Sequence, residues 1–263
     1  MSIPKIIHYC WFGGGEIPER DRKCIESWKK YCPDYEIKEW NESNYDVTQI
    51  PYMKEAYDAR RWGFVPDFAR MDIVHRYGGI YMDTDVELIR SLDPLLENKA
   101  YAGLEAEAES IGFGLGFGAE KGCEILKELC DYYRTLKFVN DDGTLNMTPN
   151  PIIVTEYFEN KGYKIDPNKI CKVGDFTVFP EEYFCPQAFA SGRVHITNNT
   201  YSIHHYHASW QTDSEKEELQ TYHKFTNIFG DKLGELLYQT KKILKTAGFA
   251  TAMKKIFEYM KKN

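Results

Sequence analysis

A chain of 263 residues that is 43% hydrophobic and 28% charged can build a core without staples, which excludes a disordered or fibrous protein. A net charge of −7 argues against a bulk nucleic-acid binder, and no apolar run is long enough to span a bilayer. Seven cysteines with no Cys-x-x-Cys pair read as reduced thiols rather than a disulfide or zinc framework, and residues 1–12 resemble neither a signal nor a transit peptide, so a cytoplasmic protein is expected.

Residues 3–12 are rich in β-branched and aromatic side chains and run into Gly13-Gly14-Gly15, the pattern of a buried first strand closed by a flexible turn. Residues 19–32 read as a helix, with Cys24, Ile25 and Trp28 on one face and Pro33-Asp34 as its stop. Residues 36–40 give a second strand, and the strand, helix, strand order points to an α/β sheet. A helix is expected over residues 66–77, with Pro66 in its first turn and Gly78-Gly79 as its end. A short buried strand, Ile80-Tyr81-Met82, follows and leads into Asp83-Thr84-Asp85. Further along, residues 112–118 are glycine-rich, 122–136 helical, 141–151 a polar loop, 176–184 and 194–206 strands, and everything from 215 onward helical. No repeat or linker interrupts the chain. The expected organisation is a catalytic domain over residues 1–212 with a helical extension over 213–263.

Asp83 and Asp85 stand at i and i+2 of an extended segment, so they share a face at the C-terminal edge of a strand, where α/β folds bind ligands. Two hard oxygen donors there suit Mg²⁺ or Mn²⁺ and, through the ion, a diphosphate. Asp67 and Arg70 share a face of the preceding helix at i and i+3. The carboxylate can accept from sugar hydroxyls, and the guanidinium fork can hold a phosphate or pair with the acid. A second cluster, His204-His205-Tyr206-His207, sits at an expected strand end, where one histidine could complete a metal shell begun by Asp85. Aromatic residues make up 15% of the chain and many lie beside Gly, His or Asp, which suits stacking on a base or sugar.

The blocks Pro4 to Gly14, Asp67-Phe68-Ala69-Arg70, Tyr77 to Asp85, and His204 to Trp210 resemble, in that order, the sugar-binding Asp-x-Asp glycosyltransferases of family 32. The resemblance implies a GT-A fold, a Rossmann-like mixed sheet flanked by helices. It also implies a nucleotide-sugar donor with UDP-sugars favoured, a divalent metal, and transfer with retention. Position by position it implies Trp11 stacked on the base with Ile7 and His8 on the strand below. Asp67 and Arg70 would contact donor sugar and phosphates, Asp83 ribose and sugar, and Asp85 the metal, with Tyr81 also among the donor-binding residues. His205, with His204 as second choice, would approach the metal or diphosphate, and Ser209 and Trp210 would cap the diphosphate. Pro66, Gly114 and Thr148-Pro149-Asn150-Pro151 depart from the family pattern, and the last two bear on sugar and acceptor.

The expected activity is transfer from a nucleotide-sugar to a glycan or lipid-linked glycan in polysaccharide or glycolipid synthesis. The alternatives are a non-catalytic nucleotide-sugar-binding module and a metal-dependent phosphohydrolase; Glu87, two residues after the second aspartate, counts against the latter. The last residues, 230–263, hold eight lysines against Asp231, Glu235 and Glu258, a net +5. Phe249, Ala252, Met253, Ile256, Phe257 and Met260 follow helical spacing, the pattern of a basic amphipathic helix that could rest on anionic lipid at the inner face of a membrane or pack its apolar stripe on the catalytic domain with its lysines solvated.

Overall fold

The computed structural model describes residues 2–105, 110–188, 191–206 and 213–246. Two compact units divide the chain, Met1–Gln187 with Val194–Trp210, and Ala188–Arg193 with Gln211–Asn263.

The first unit opens with β1 (Ile6–Cys10), α1 (Glu19–Tyr31) and β2 (Glu36–Trp40). α1 carries Glu19 and Asp21 in its first turn and Lys29 and Lys30 in its last, the charge order its dipole favours. Its buried side chains Asp21, Cys24, Ile25 and Trp28 recur at helical spacing. The chain continues through α2 (Pro51–Asp58), α3 (Pro66–Tyr77), β3 (Gly79–Tyr81), β4 (Val86–Leu88), β5 (Ala100–Leu104), β6 (Ile111–Gly112) and β7 (Phe117–Ala119). Then come α4 (Glu124–Tyr133), α5 (Asn150–Asn160), β8 (Cys171–Val173), β9 (Phe176–Phe179), α6 (Glu181–Phe184) and β10 (Ser202–His204).

Eight strands form one mixed sheet in the order β2-β1-β3-β7-β5-β9-β8, with β6 on β5. β1 pairs in parallel with both β2 and β3, whereas β7 is antiparallel to its neighbours. One face of the sheet packs against α2 to α5 through residues such as Phe68, Leu129, Tyr133 and Phe158. The other packs against α1 and the β4–β10 ribbon through Ile7, Tyr9, Trp28, Ile80 and Val86. A mixed α/β sheet flanked by helices is thus observed. Because β1 sends the chain to β2 on one side and receives it back at β3 on the other, the strand order reverses at β1. That reversal opens a crevice at the C-terminal ends of β1 and β3. Gly79 makes the tight entry into β3 possible. Its φ is +107°, and a Cβ there would stand 2.7 Å from the Ile6 carbonyl oxygen.

Several expected elements differ. The strand over 176–184 ends at Phe179, because Pro180 cannot continue the ladder and starts α6 instead. The strand over 194–206 shrinks to Ser202–His204 plus an isolated bridge at Val194. The polar loop over 141–151 ends inside α5, whose first turn contains Pro151. α2, also begun by a proline, was not expected at all.

In the second unit, α7 (Asp213–Phe229) and α8 (Asp231–Thr246) are joined at Gly230. Tyr222 meets Tyr238 edge-on at 5.0 Å, and the Tyr238 hydroxyl donates to Glu218 at 2.7 Å. No described helix is long and apolar enough to cross a membrane. The basic amphipathic stretch over 249–260 lies outside the described residues.

Candidate active site

The crevice above β1 and β3 gathers most of the residues singled out from the sequence. α3 begins at Pro66, so Asp67 lies in its first turn and Arg70 at the start of its second, at the sheet's C-terminal edge. Both are buried, at 3% and 6% exposure. Arg70 Nη2 lies 3.3 Å from Asp67 Oδ1 and 3.5 Å from Asp83 Oδ1, which joins the helix to the end of β3. Burial pushes the Asp67 carboxyl up, against the pull of the Arg70 charge. Arg70 stays charged despite its own burial because Asp83, Tyr81 and Asp67 all face it.

Tyr81 supports this pair from below. Its ring, 1% exposed, lies 5.1 Å from the Arg70 guanidinium carbon, and its hydroxyl donates to Asp83 Oδ1 at 2.9 Å. Asp83 N–H donates to the Gly114 carbonyl at 2.9 Å. A Cβ at Gly114 would run into Asp83 Oδ2 and stand 3.4 Å from Arg70 Nη1. The side-chain-free position is what lets the acid lie where it does.

Between the two aspartates, Thr84 Oγ1 donates to Asp21 Oδ2 at 3.2 Å, so a fully buried acid of α1 fixes the turn. Asp85 then meets the second cluster. β10 pairs antiparallel with β4, with His204 opposite Val86, and this register sets His204 Nε2 3.3 Å from Asp85 Oδ1. His205 N–H donates to the Asp85 carbonyl, but its ring turns to Glu87, 2.8 Å away. The structure thus places His204 rather than His205 beside the Asp85 carboxylate. Burial opposes a charge on His204, yet Asp85 outweighs it and raises the imidazole well above its usual range.

Trp11 follows β1, half-buried, with its indole N–H donating to the Gly15 carbonyl at 2.6 Å. Ile7 and His8 are fully buried within the sheet and line no part of the crevice. Ser209, Trp210 and His207 lie outside the described residues.

Glu105 was missed in the sequence. It directly follows β5, where burial raises its carboxyl while His204, Asp83 and Arg70 act on it electrostatically. The signal was present, since Tyr101-Ala102-Gly103-Leu104 is an apolar run that ends in an acid just as Ile80-Tyr81-Met82 does.

The donor set fits a divalent cation. Asp83 acts on both Asp67 and Glu105 around the Arg70 charge, and Asp85 faces His204, so carboxylate oxygens are concentrated at this strand edge. No group of three or more His, Cys, Asp or Glu forms a complete protein-only metal site among the described residues. A hard cation held through one or two carboxylates and completed by substrate phosphates needs no such cage.

Residues 18–102 match the family model for the glycosyltransferase sugar-binding region containing DXD motif. Inositol phosphoceramide mannosyltransferase 3 of Schizosaccharomyces pombe is 37% identical over 108 residues, which cover 38% of this chain and 29% of that protein. Mannosyl phosphorylinositol ceramide synthase CSH1 of Saccharomyces cerevisiae is 33% identical over 107 residues, 38% of this chain and 27% of that protein. The matched stretches span between 27% and 36% of the curated relatives' lengths. A solved glycosyltransferase involved in glycosylation of the major capsid of PBCV-1 superposes over 82% of this chain and all of its own, with 13% identity and a TM-score of 0.48. Over residues 18–102 the chain is thus similar to the DXD-containing sugar-binding region of glycosyltransferases.

Proposed function

We propose that the chain is a divalent-metal-dependent glycosyltransferase that moves a sugar from a nucleotide-sugar donor to a glycan or lipid-linked acceptor, with retention of configuration. The observation that carries this reading is the convergence of Asp67, Arg70, Asp83, Asp85 and His204 at one strand edge. UDP-sugars are the favoured donors, and the names of the yeast relatives make GDP-mannose the donor to test beside them. The same names support a lipid-linked acceptor, and the net positive charge of residues 230–263 supports work at an anionic membrane surface. GT-A is the arrangement proposed for residues 1–212, with 213–263 as a helical extension.

Asp85, with Asp83 near it, would hold Mn²⁺ or Mg²⁺, and His204 would join them only on giving up the proton that Asp85 stabilises; the ion when bound supplies positive charge to the departing diphosphate. Arg70 adds a second, fixed positive charge in a buried setting where it is worth more than in water. Asp67 and Asp83 orient that guanidinium and offer acceptors to sugar hydroxyls. Trp11 presents an aromatic face beside the glycine turn for the base.

Calorimetric titration of uridine and guanosine diphosphates with Mn²⁺ tests the reading. Asp85→Ala should abolish metal-dependent nucleotide binding while the thermal transition is retained. Equal affinity in native and Asp85→Ala chains would overturn it.

A further inference from the structure

The segment joining α2 to α3 carries two arginines that the donor site does not use. α2 ends in a Schellman arrangement, with Arg60 N–H donating to the Tyr57 carbonyl and Arg61 N–H to the Ala56 carbonyl, both at 2.9 Å. This geometry holds Arg60 at φ +54°, a left-handed conformation in which a Cβ is costly and glycine is the usual occupant. Arg60 and Tyr206 are the non-glycine residues with positive φ among the described residues. An arginine kept where glycine would be less strained points to a use for its side chain.

Neither guanidinium forms a hydrogen bond or ion pair among the described residues. Arg20, Arg70, Arg76 and Arg134 each meet a carboxylate. The segment is also fastened to the crevice. Glu42 Oε1 accepts from Gly13 N–H at 2.7 Å and from the Tyr57 hydroxyl at 3.0 Å. Tyr57 meets Trp62 edge-on at 5.2 Å, and a Cβ at Gly13 would stand 2.9 Å from Trp62 Cε2. Arg60, Arg61 and the half-buried Trp62 therefore share one rim with the turn that follows Trp11.

Two unpaired planar forks beside an indole match a phosphate next to a ring. We propose that Arg60 and Arg61, with Trp62, bind a phosphodiester on the acceptor, an assignment that rests on the transferase reading above. The acceptor is then an anionic, phosphate-bearing alcohol or glycan, not a neutral sugar.

The test uses the full chain with Mn²⁺ and nucleoside diphosphate. Its probes are glycerophosphoinositol in solution, phosphatidylinositol vesicles with phosphatidylcholine vesicles as control, and neutral inositol. The native chain should bind both phosphodiester probes and neither control. The double variant Arg60→Gly with Arg61→Gln should lose at least about tenfold in affinity for both, as expected when charged hydrogen bonds are removed. Its nucleotide affinity should not change, and its Tm should hold or rise by about 2 °C from relief at residue 60. A smaller loss, no binding by the native chain, or loss on vesicles alone would overturn the proposal. So would a parallel loss of nucleotide affinity, which would assign the arginines to the donor, or a fall in Tm, which would make them structural. Failure of Asp85→Ala to weaken nucleotide binding would instead remove the transferase reading itself.

Discussion

His8 lies on the central strand, fully buried, 2.9 Å from the Gly78 carbonyl through Nε2 and 3.2 Å from Trp40 Nε1 through Nδ1. The indole N–H can only donate, so Nδ1 must accept, and Nε2 carries the proton that Gly78 receives. A second proton would face Trp40 donor to donor. Burial is the main cause that lowers this imidazole from 6.5 to about 4. A group whose folded value lies below its unfolded one contributes stability that is complete above 6.5 and is lost as pH falls towards 4. At about 1.4 kcal/mol per pH unit, the interval amounts to about 3 kcal/mol in full and about 2 kcal/mol between pH 7 and pH 5. Urea unfolding of the native chain and of His8→Gln at pH 7, 6 and 5 isolates the effect, since other titrating groups cancel in the difference. The variant should be less stable at pH 7, and the gap should narrow by about 2 kcal/mol at pH 5. Curves that stay parallel would refute a buried neutral imidazole at this position.

Gly114→Ala should force Asp83 aside and lower kcat/KM on the order of 100-fold with little change in Tm, because the displaced carboxylate is part-exposed and free to rotate; steady-state kinetics beside thermal unfolding checks it. Uridine diphosphate with Mn²⁺ should quench tryptophan fluorescence, and Trp11→Ala should remove that quenching. Anionic vesicles should co-sediment the chain at low salt and release it at high salt, and glutamine at Lys254, Lys255, Lys261 and Lys262 should weaken the binding at about 1 kcal/mol per lysine.

Much of the sheet's first half was legible because its signals are local. Residues 66–77 begin with proline and end at paired glycines, and α3 has those bounds. The Asp-x-Asp turn could be placed because an apolar strand runs straight into it. α2 hid because its stop is Arg60, where the chain needs a left-handed residue and glycine would have announced one. α5 hid because Pro151 reads as a breaker when in fact it opens a helix. The choice between His204 and His205 was beyond local reasoning, since it depends on a register between strands separated by more than a hundred residues.

The β4–β10 ribbon holds only three residue pairs, and a two-stranded ladder of that length is marginal on its own. One end of it is the Asp85–His204 junction. Any ligand that prefers the closed junction to the open one must, by thermodynamic reciprocity, make the ribbon harder to open by the same free energy. Substrate affinity and the local persistence of β10 are then two readings of one equilibrium. A substitution far along β10 that frays the ladder would weaken donor binding without touching a single atom that meets the donor.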